Sequence, residues 1–217
     1  MLRASVSGEP RPEATPEPGT VASSARSAPL LQIHTVPGPE RDRVERFIHQ
    51  VYAAHHGAAV RHFMPVLVSL SNEHGELTAA AGYRVASETL YLERYLDDPV
   101  DQLLATYQGS VPPRSQIVEV GHLSAAHAGA GKQLIVALGR HLADLQMQWV
   151  VGTLTQELRH LFIRMGVTPL ALGAADAGRL GDEAADWGRY YDHHPVVLAG
   201  HLGLALRSLR RAPSGEE

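Results

Sequence analysis

The stretch IVEVGHLSAAHAGAGKQLIVALGRHL, from Ile117 to Leu142, holds the residues best suited to chemistry. A β-like run carrying Glu119 and His122 ends in small residues, and Gly129 and Gly131 follow where an amphipathic helix pattern begins. Glycines at a strand-to-helix junction leave backbone N–H groups facing outward, and with the helix N-terminus they favour an anion such as a phosphate. Two familiar phosphate patterns fit poorly. A Walker A loop needs glycine and then a Ser or Thr where Ala126 and Gln133 stand. A dinucleotide fingerprint would use Gly129, Gly131 and Leu134, and the acid it wants at the end of the next strand is a threonine. The thirteen histidines are scattered, as in His55-His56, His122, His127, His141, His160, His193-His194 and His201. No HExxH spacing occurs, so no metal is expected. The chain has no cysteine, which excludes disulfides, thiolate nucleophiles and Cys-ligated zinc.

The elements that must position these residues are legible in part. LLQIHTV reads as a strand, and PERDRVERFIHQVYAAHHG as a helix with Val44, Phe47, Ile48 and Val51 on one face. FMPVLVSL and LTAAAGYRVA read as strands joined by a turn at Asn72-Glu73-His74-Gly75. DDPVDQLLATYQG predicts a helix capped by Asp98 with Pro99 in its first turn, and with Val100, Leu103, Leu104 and Tyr107 on one face. After the Ile117–Leu142 strand and helix, striped by Leu134, Leu138, Leu142 and Leu145, WVVGTLT predicts a strand at the centre of a sheet. QELRHLFIRMG predicts a short helix with Leu158, Leu161, Phe162 and Met165 inward and Gly166 as its stop; VTPLALG follows as the last strand. The order β-α-β-β-α-β-α-β-α-β describes a mixed α/β domain over residues 30–210. A Pro/Ser-rich leader over 1–29 and a tail over 211–217 have too little apolar surface to fold and are expected to be disordered.

A third phosphate pattern, the Gln/Arg-x-x-Gly-x-Gly/Ala loop of acetyltransferases, resembles Ala126-x-x-Gly129-x-Gly131 except at its first position. VEVGHLS followed by WVVGTLTQELRHLFIRMGVTPLALG is similar to the corresponding half of the acyl-homoserine-lactone synthases, which share the acetyltransferase fold. Glu119 matches their central-strand glutamate and Arg84, in AGYRVA, their hairpin arginine; His122 stands where a second arginine would be. FMPVLVSL, LYLERYLDDP, IVEVGHLSA, WVVGTLTQELRHLFIRMG and WGRYYDHHPVVLAGHLG together resemble the thermostable hemolysin family of bacterial proteins. These resemblances imply an acetyltransferase-like mixed central sheet flanked by helices. They imply N-acyl transfer from a CoA thioester, or from a phosphopantetheine arm on an acyl carrier protein, to a small amine or amino acid. The donor phosphates would meet Leu123, Gly129, Ala130, Gly131 and Lys132, with Lys132, Arg140, Arg159 and Arg164 facing an acidic donor.

Within that reading Glu119 binds the ammonium and relays its proton, because an amine of pKa near ~10 must be deprotonated before it attacks. Gly121 allows a bulge, and an N–H near Gly121–Leu123 polarises the thioester carbonyl. Phe162 stands where acetyltransferases often place an acidic tyrosine, so the thiolate either leaves unprotonated or takes its proton from one of the remaining candidates, His122, Tyr190 and Tyr191. Arg84, Thr153, Thr155 and the cluster Trp187, Tyr190, Tyr191 are substrate-side candidates, with Glu93, Arg94, Tyr95 and Asp97 as a second polar group. The second function, implied by the hemolysin name of the family the chain resembles, is a membrane-damaging or lipid-binding protein, with VVLAGHLGLALRSLRR, apolar and then basic, as its one candidate segment. That segment lacks spanning length, and packing on the sheet is the simpler reading, so the enzyme is favoured; an inactive acetyltransferase fold that only binds a carrier protein stands as a third reading. A net charge of −4 gives no field for nucleic acid, no run crosses a bilayer and no signal peptide is evident, so a cytoplasmic protein is expected.

Overall fold

A computed structural model describes residues 30–211. The expected leader, and the expected tail beyond residue 211, lie outside the described residues. Strand β1 (Gln32–His34) leads to helix α1 (Pro39–His56), whose first turn holds Pro39, Glu40 and Asp42 and whose end is set by Gly57 at φ 65°. Proline and acids suit a helix start, and glycine suits the left-handed residue after its end. Val44, Ile48 and Tyr52 form the buried face of α1. Strands β2 (Val66–Ser71) and β3 (Leu77–Val85) form the expected hairpin. Its turn is held by Asn72, whose side-chain oxygen accepts the His74 and Glu76 amides.

After β3 the chain makes a 3-10 turn at Tyr91–Tyr95 and then helix α2 (Val100–Gln108). Pro99, rather than Asp98, occupies the N-cap, and the Val100 amide is taken by the Glu93 carboxylate at 3.0 Å. Tyr107 is 57% exposed and leaves the buried face to Val100 and Leu104. Strand β4 (Ile117–Ala125), helix α3 (Ala128–Asp144), strand β5 (Trp149–Leu154), helix α4 (Gln156–Arg164) and strand β6 (Leu170–Ala174) follow as the sequence predicts. Leu134, Leu138 and Leu142 are buried, whereas Leu145 lies past the end of α3 and is 44% exposed.

The C-terminal region corrects the sequence reading, for β6 is not the last strand. Strand β7 (Val196–His201) inserts between β5 and β6, giving the order β1-β2-β3-β4-β5-β7-β6, and helix α5 (Leu202–Arg211) ends the described chain. Its core Val197-Leu198-Ala199 is buried on both faces, as a continuous apolar run in an inner strand should be; β6 is only half-buried at the edge. All pairings are antiparallel except β4 with β5, which pair over only Ile117–Glu119 and Trp149–Val151. One sheet face packs against α1 and α2 through Leu67, Ala80, Ile117 and Val151. The other packs against α3 and α5 through Val68, Ala79, Val118 and Val120.

Candidate active site

Strand alternation places Glu119 on the face between the α1 and α2 clusters, at the last residue where β4 still pairs with β5. Beyond it β4 carries a bulge against β3: two steps from Ala80 to Gly82 oppose three from Ser124 to Gly121. The sequence places this bulge at Gly121; the structure gives the left-handed conformation to His122, at φ 55°. Only glycine fits opposite the opening, because a Cβ on Gly152 would stand 2.7 Å from the Val120 carbonyl oxygen.

Glu119 is 4% exposed, and its two oxygens accept the Tyr91 amide at 2.8 Å and the Leu92 amide at 3.0 Å. Burial raises its pKa above the ordinary carboxylate value, against the pull of those amides and of Arg84. Arg84 lies directly across the strand pair from Glu119, donates one Nη to the Thr89 carbonyl at 3.3 Å, and leaves its buried Nε without a partner among the described residues. His122 is buried against Phe63 and Tyr52, with ring centroids 5.6 and 6.3 Å away. Burial pushes its pKa down to about 4, so the imidazole is neutral at pH 7, and its Nδ1 has no hydrogen-bond partner.

These groups open onto a cavity of about 130 Å³ walled by Tyr52, Tyr91, Tyr95, Trp187 and Tyr190, with Thr153 at its edge. Trp187 Nε1 donates to the Tyr91 hydroxyl at 3.3 Å, the Tyr95 and Tyr191 hydroxyls are 2.7 Å apart, and Tyr190 donates to the Thr153 carbonyl at 3.0 Å. Two ion pairs stand at the rim, Arg94 with Glu183 and Arg61 with Asp186. A groove of about 400 Å³ lies on the other side of Tyr52 and Tyr190, between α1, the ends of β4 and β5, and the starts of α3 and α4. An apolar cavity of about 110 Å³ lies behind the β4–β5 opening, lined by Val120, Leu138, Gly152, Phe162 and Leu206. Leu158 and Leu161 of α4 face the groove and Phe162 the apolar cavity, which is why α4 buries little despite its apolar stripe.

The sequence candidates divide accordingly. Glu119, His122, Arg84, Tyr95, Thr153, Trp187 and Tyr190 meet in the aromatic cavity. Glu93, predicted on the substrate side, does not line it. Its carboxylate is filled by the Leu90 and Val100 amides and by Arg114, which also binds Asp101, and this network pins the 3-10 turn whose amides hold Glu119. Gly129, Ala130 and Gly131 form the first turn of α3 rather than a loop. His127 caps that turn, its carbonyl receiving the Ala130 and Gly131 amides and its Nδ1 also receiving Ala130. Leu123 and Gly131 line the groove; Ala130 is buried, and Lys132 is exposed away from the groove lining. Thr155 caps α4 and faces the groove rather than the aromatic cavity. Tyr52, Tyr91, His55 and His56 are not among the sequence's site candidates; the spacing from Tyr95 is a local signal for Tyr91, and the other three carry none.

The five motifs that suggested a family are thus spread over one cleft, and a family model for thermostable hemolysins matches residues 34–206. The chain belongs to the thermostable hemolysin family. No curated protein matches it. Among solved structures it is similar to TofI in a ternary complex with an inhibitor and MTA, at 17% identity and TM-score 0.57, covering 83% of this chain and 96% of that one. It is similar to FeeM, an N-acyl amino acid synthase from uncultured soil microbes, at 15% identity and TM-score 0.58, covering 87% and 99%. It is also similar to MesI, a CoA-dependent acyl-homoserine lactone synthase, at 14% identity and TM-score 0.54, covering 87% and 97%. This hemolysin-family chain therefore has the acyltransferase-type fold expected from its sequence. Among the described residues no helix is long and apolar enough to cross a membrane, and no three His, Asp or Glu side chains are grouped to hold a metal ion. The segment once open to a membrane reading is the inner strand β7 followed by α5, whose Leu202 and Leu206 face Gly139 of α3.

Proposed function

We propose that this member of the family is an N-acyltransferase that moves an acyl group from a CoA or carrier-protein thioester to a small amine or amino acid. The observation that carries this reading is the placement of Glu119. A buried carboxylate with a raised pKa stands where β4 and β5 part, facing a polar aromatic cavity on one side of the sheet and backed by an apolar cavity on the other. The acceptor occupies the aromatic cavity, its ammonium toward Glu119 and any carboxylate toward Arg84. The pantetheine arm lies in the groove beside the start of α3, and the acyl chain enters the apolar cavity.

Glu119 takes a proton from the ammonium, and a raised carboxylate pKa narrows the gap that this transfer must bridge. The free amine attacks the thioester carbonyl, so a C–N bond forms as the C–S bond breaks. The second proton of the nitrogen ends on the departing sulfur. Phe162 has no proton to give, and His122 is neutral and can relay rather than repel the amine. The acylated product of such an enzyme would be an amphiphile, and this accounts for a hemolytic family name without a pore.

The test is mass spectrometry of reactions containing the protein, acyl-CoA of several chain lengths and a mixture of amino acids and simple amines. N-acyl products that depend on Glu119 support the reading. Absence of products from every donor, carrier-protein thioesters included, together with no retained acyl ligand in native spectra, would overturn it.

A further inference from the structure

The donor groove has an excess of one residue type. His55 and His56, at the C-terminal end of α1, line it together with His127 at the head of α3. His193 stands behind His56 with ring centroids 5.1 Å apart, and His55 lies 6.3 Å from His56. The fixed charges in the groove wall are one of each sign, Arg164 and Glu157, and they cancel. Tyr52 on its own helix and Tyr190 opposite complete the surroundings of His56, and Arg189 donates its amide to the His56 carbonyl. On α4, Arg159 is engaged with the His194 carbonyl. Crowded imidazoles resist charging together, because each proton repels the next. Burial and the neighbours His193 and His55, with a smaller push from the Arg189 charge, accordingly hold His56 below the usual imidazole value, with Glu157 opposing. An anion set among them reverses that balance.

We propose that His55, His56 and His127 form the phosphate-recognising end of the donor groove, and that the His56 imidazole takes up a proton as a phosphoryl group of the donor binds. This rests on the acyl-donor reading above. At His127 the Nδ1 already accepts the Ala130 amide at 3.3 Å, so Nε2 is the ring nitrogen left to meet a ligand. With Arg164 and Glu157 offsetting one another, the groove gains positive charge as a phosphate ester arrives. The enzyme therefore holds its donor more tightly as pH falls through the range where imidazoles charge, below about 6.5.

Calorimetry of the full chain with CoA, in buffers of different ionisation enthalpy between about pH 6 and 8, reads the proton uptake directly. The expected result is net uptake near pH 6.5 and roughly tenfold tighter binding at pH 6 than at pH 8, since one linked proton gives at most ~10-fold per pH unit. The double variant His55→Gln/His56→Gln should lose the extra uptake and most of the pH dependence, so that its affinity falls much further below wild type at pH 6 than at pH 8. Titration of the CoA phosphates is common to both proteins, so their difference isolates the histidines. 4′-Phosphopantetheine serves as the second probe. Linked uptake with both probes supports the proposal for the phosphate next to pantetheine, which CoA and a carrier share; uptake with CoA alone supports it for the nucleotide end. CoA binding with identical proton uptake in wild type and double variant overturns the proposal but spares the acyl-donor reading. Failure of both probes to bind at any pH overturns both.

Discussion

Glu119→Gln is the perturbation in which catalysis and architecture are both at stake. The wild-type carboxylate accepts two backbone amides, from Tyr91 at 2.8 Å and Leu92 at 3.0 Å, in a site that is 4% exposed. Glutamine offers one oxygen and one NH2, so one of the two amides must face another donor. Leaving a buried amide unsatisfied costs about 1–3 kcal/mol, and no arginine ion pair is broken because Arg84 does not bond the carboxylate. For a chain of this size that corresponds to a melting-temperature drop of roughly 2–12 °C. Turnover should fall further than folding explains, by ~10²-fold or more per folded molecule, the usual scale for a lost general base. The assay pairs thermal unfolding with product formation at saturating acceptor, both measured on one preparation. Unchanged melting would refute the anchoring of the 3-10 turn by Glu119. Near-normal turnover in a destabilised protein would refute the proton-transfer role and leave Glu119 as an anchor alone.

For His122, a folded pKa of about 4 against 6.5 for a free imidazole means that the unfolded chain binds the extra proton between those values. Stability is therefore fully present above pH 6.5 and declines as pH falls through 4, by about 3 kcal/mol in total. Asparagine tolerates the left-handed backbone at this position, so His122→Asn should fold and lose that pH slope in denaturant titrations. Wild-type kcat/KM should show an acid limb above the ordinary carboxylate value, because Glu119 must be ionised and its pKa is raised; Glu119→Gln should flatten it. Gly152→Ala places a Cβ 2.7 Å from the Val120 carbonyl oxygen, so urea unfolding should show a loss of roughly 2 kcal/mol or more. At Gly131 a Cβ meets only Ala125 at 3.5 Å, so Gly131→Val should retain the fold while its branches enter the groove and weaken CoA binding ~10-fold by calorimetry.

Locally determined features were readable from the sequence. Gly57 and Gly166 end helices in the left-handed conformation because only glycine adopts it freely, and Asn72–Gly75 makes a hairpin turn by side-chain bonds within a few residues. The β4–α3 junction and the apolar β5 announce themselves in the same way. The strand after residue 195 was missed because its glycine-punctuated run and the helix after it read as one apolar-then-basic segment; only insertion between β5 and β6 separates them. At the site, its strand sets Glu119 apart in the sequence, but nothing local shows that Glu93 is a structural carboxylate rather than a second one facing substrate. The distinction comes from Arg114, which reaches back across the sheet end to fill Glu93 and leaves Glu119 to the cavity. Tyr52, His55 and His56 join from α1 through tertiary packing alone, and such convergence leaves no periodic trace in the chain.

The position of β7 also governs the order in which the molecule can assemble. Strand β5 shares only three residue pairs with β4, and its longer pairing, Trp149–Leu154 against Val196–His201, waits for a segment more than forty positions further along. Strand β6 has no other partner in the sheet. During synthesis, the β1–β4 meander and α3 can therefore collapse early, while β5 is held by three pairs with β4 alone and β6 by none, and both leave edges rich in apolar residues. Such edges are templates for association with other chains. The late strand is thus a clasp, and its arrival converts a half-sheet into the cleft that carries Thr153 and the β4–β5 opening. A nascent chain stalled before residue 196 should be a client for chaperones, and mutations that weaken Val197 or Ala199 should lower soluble yield more than they lower the stability of molecules already folded.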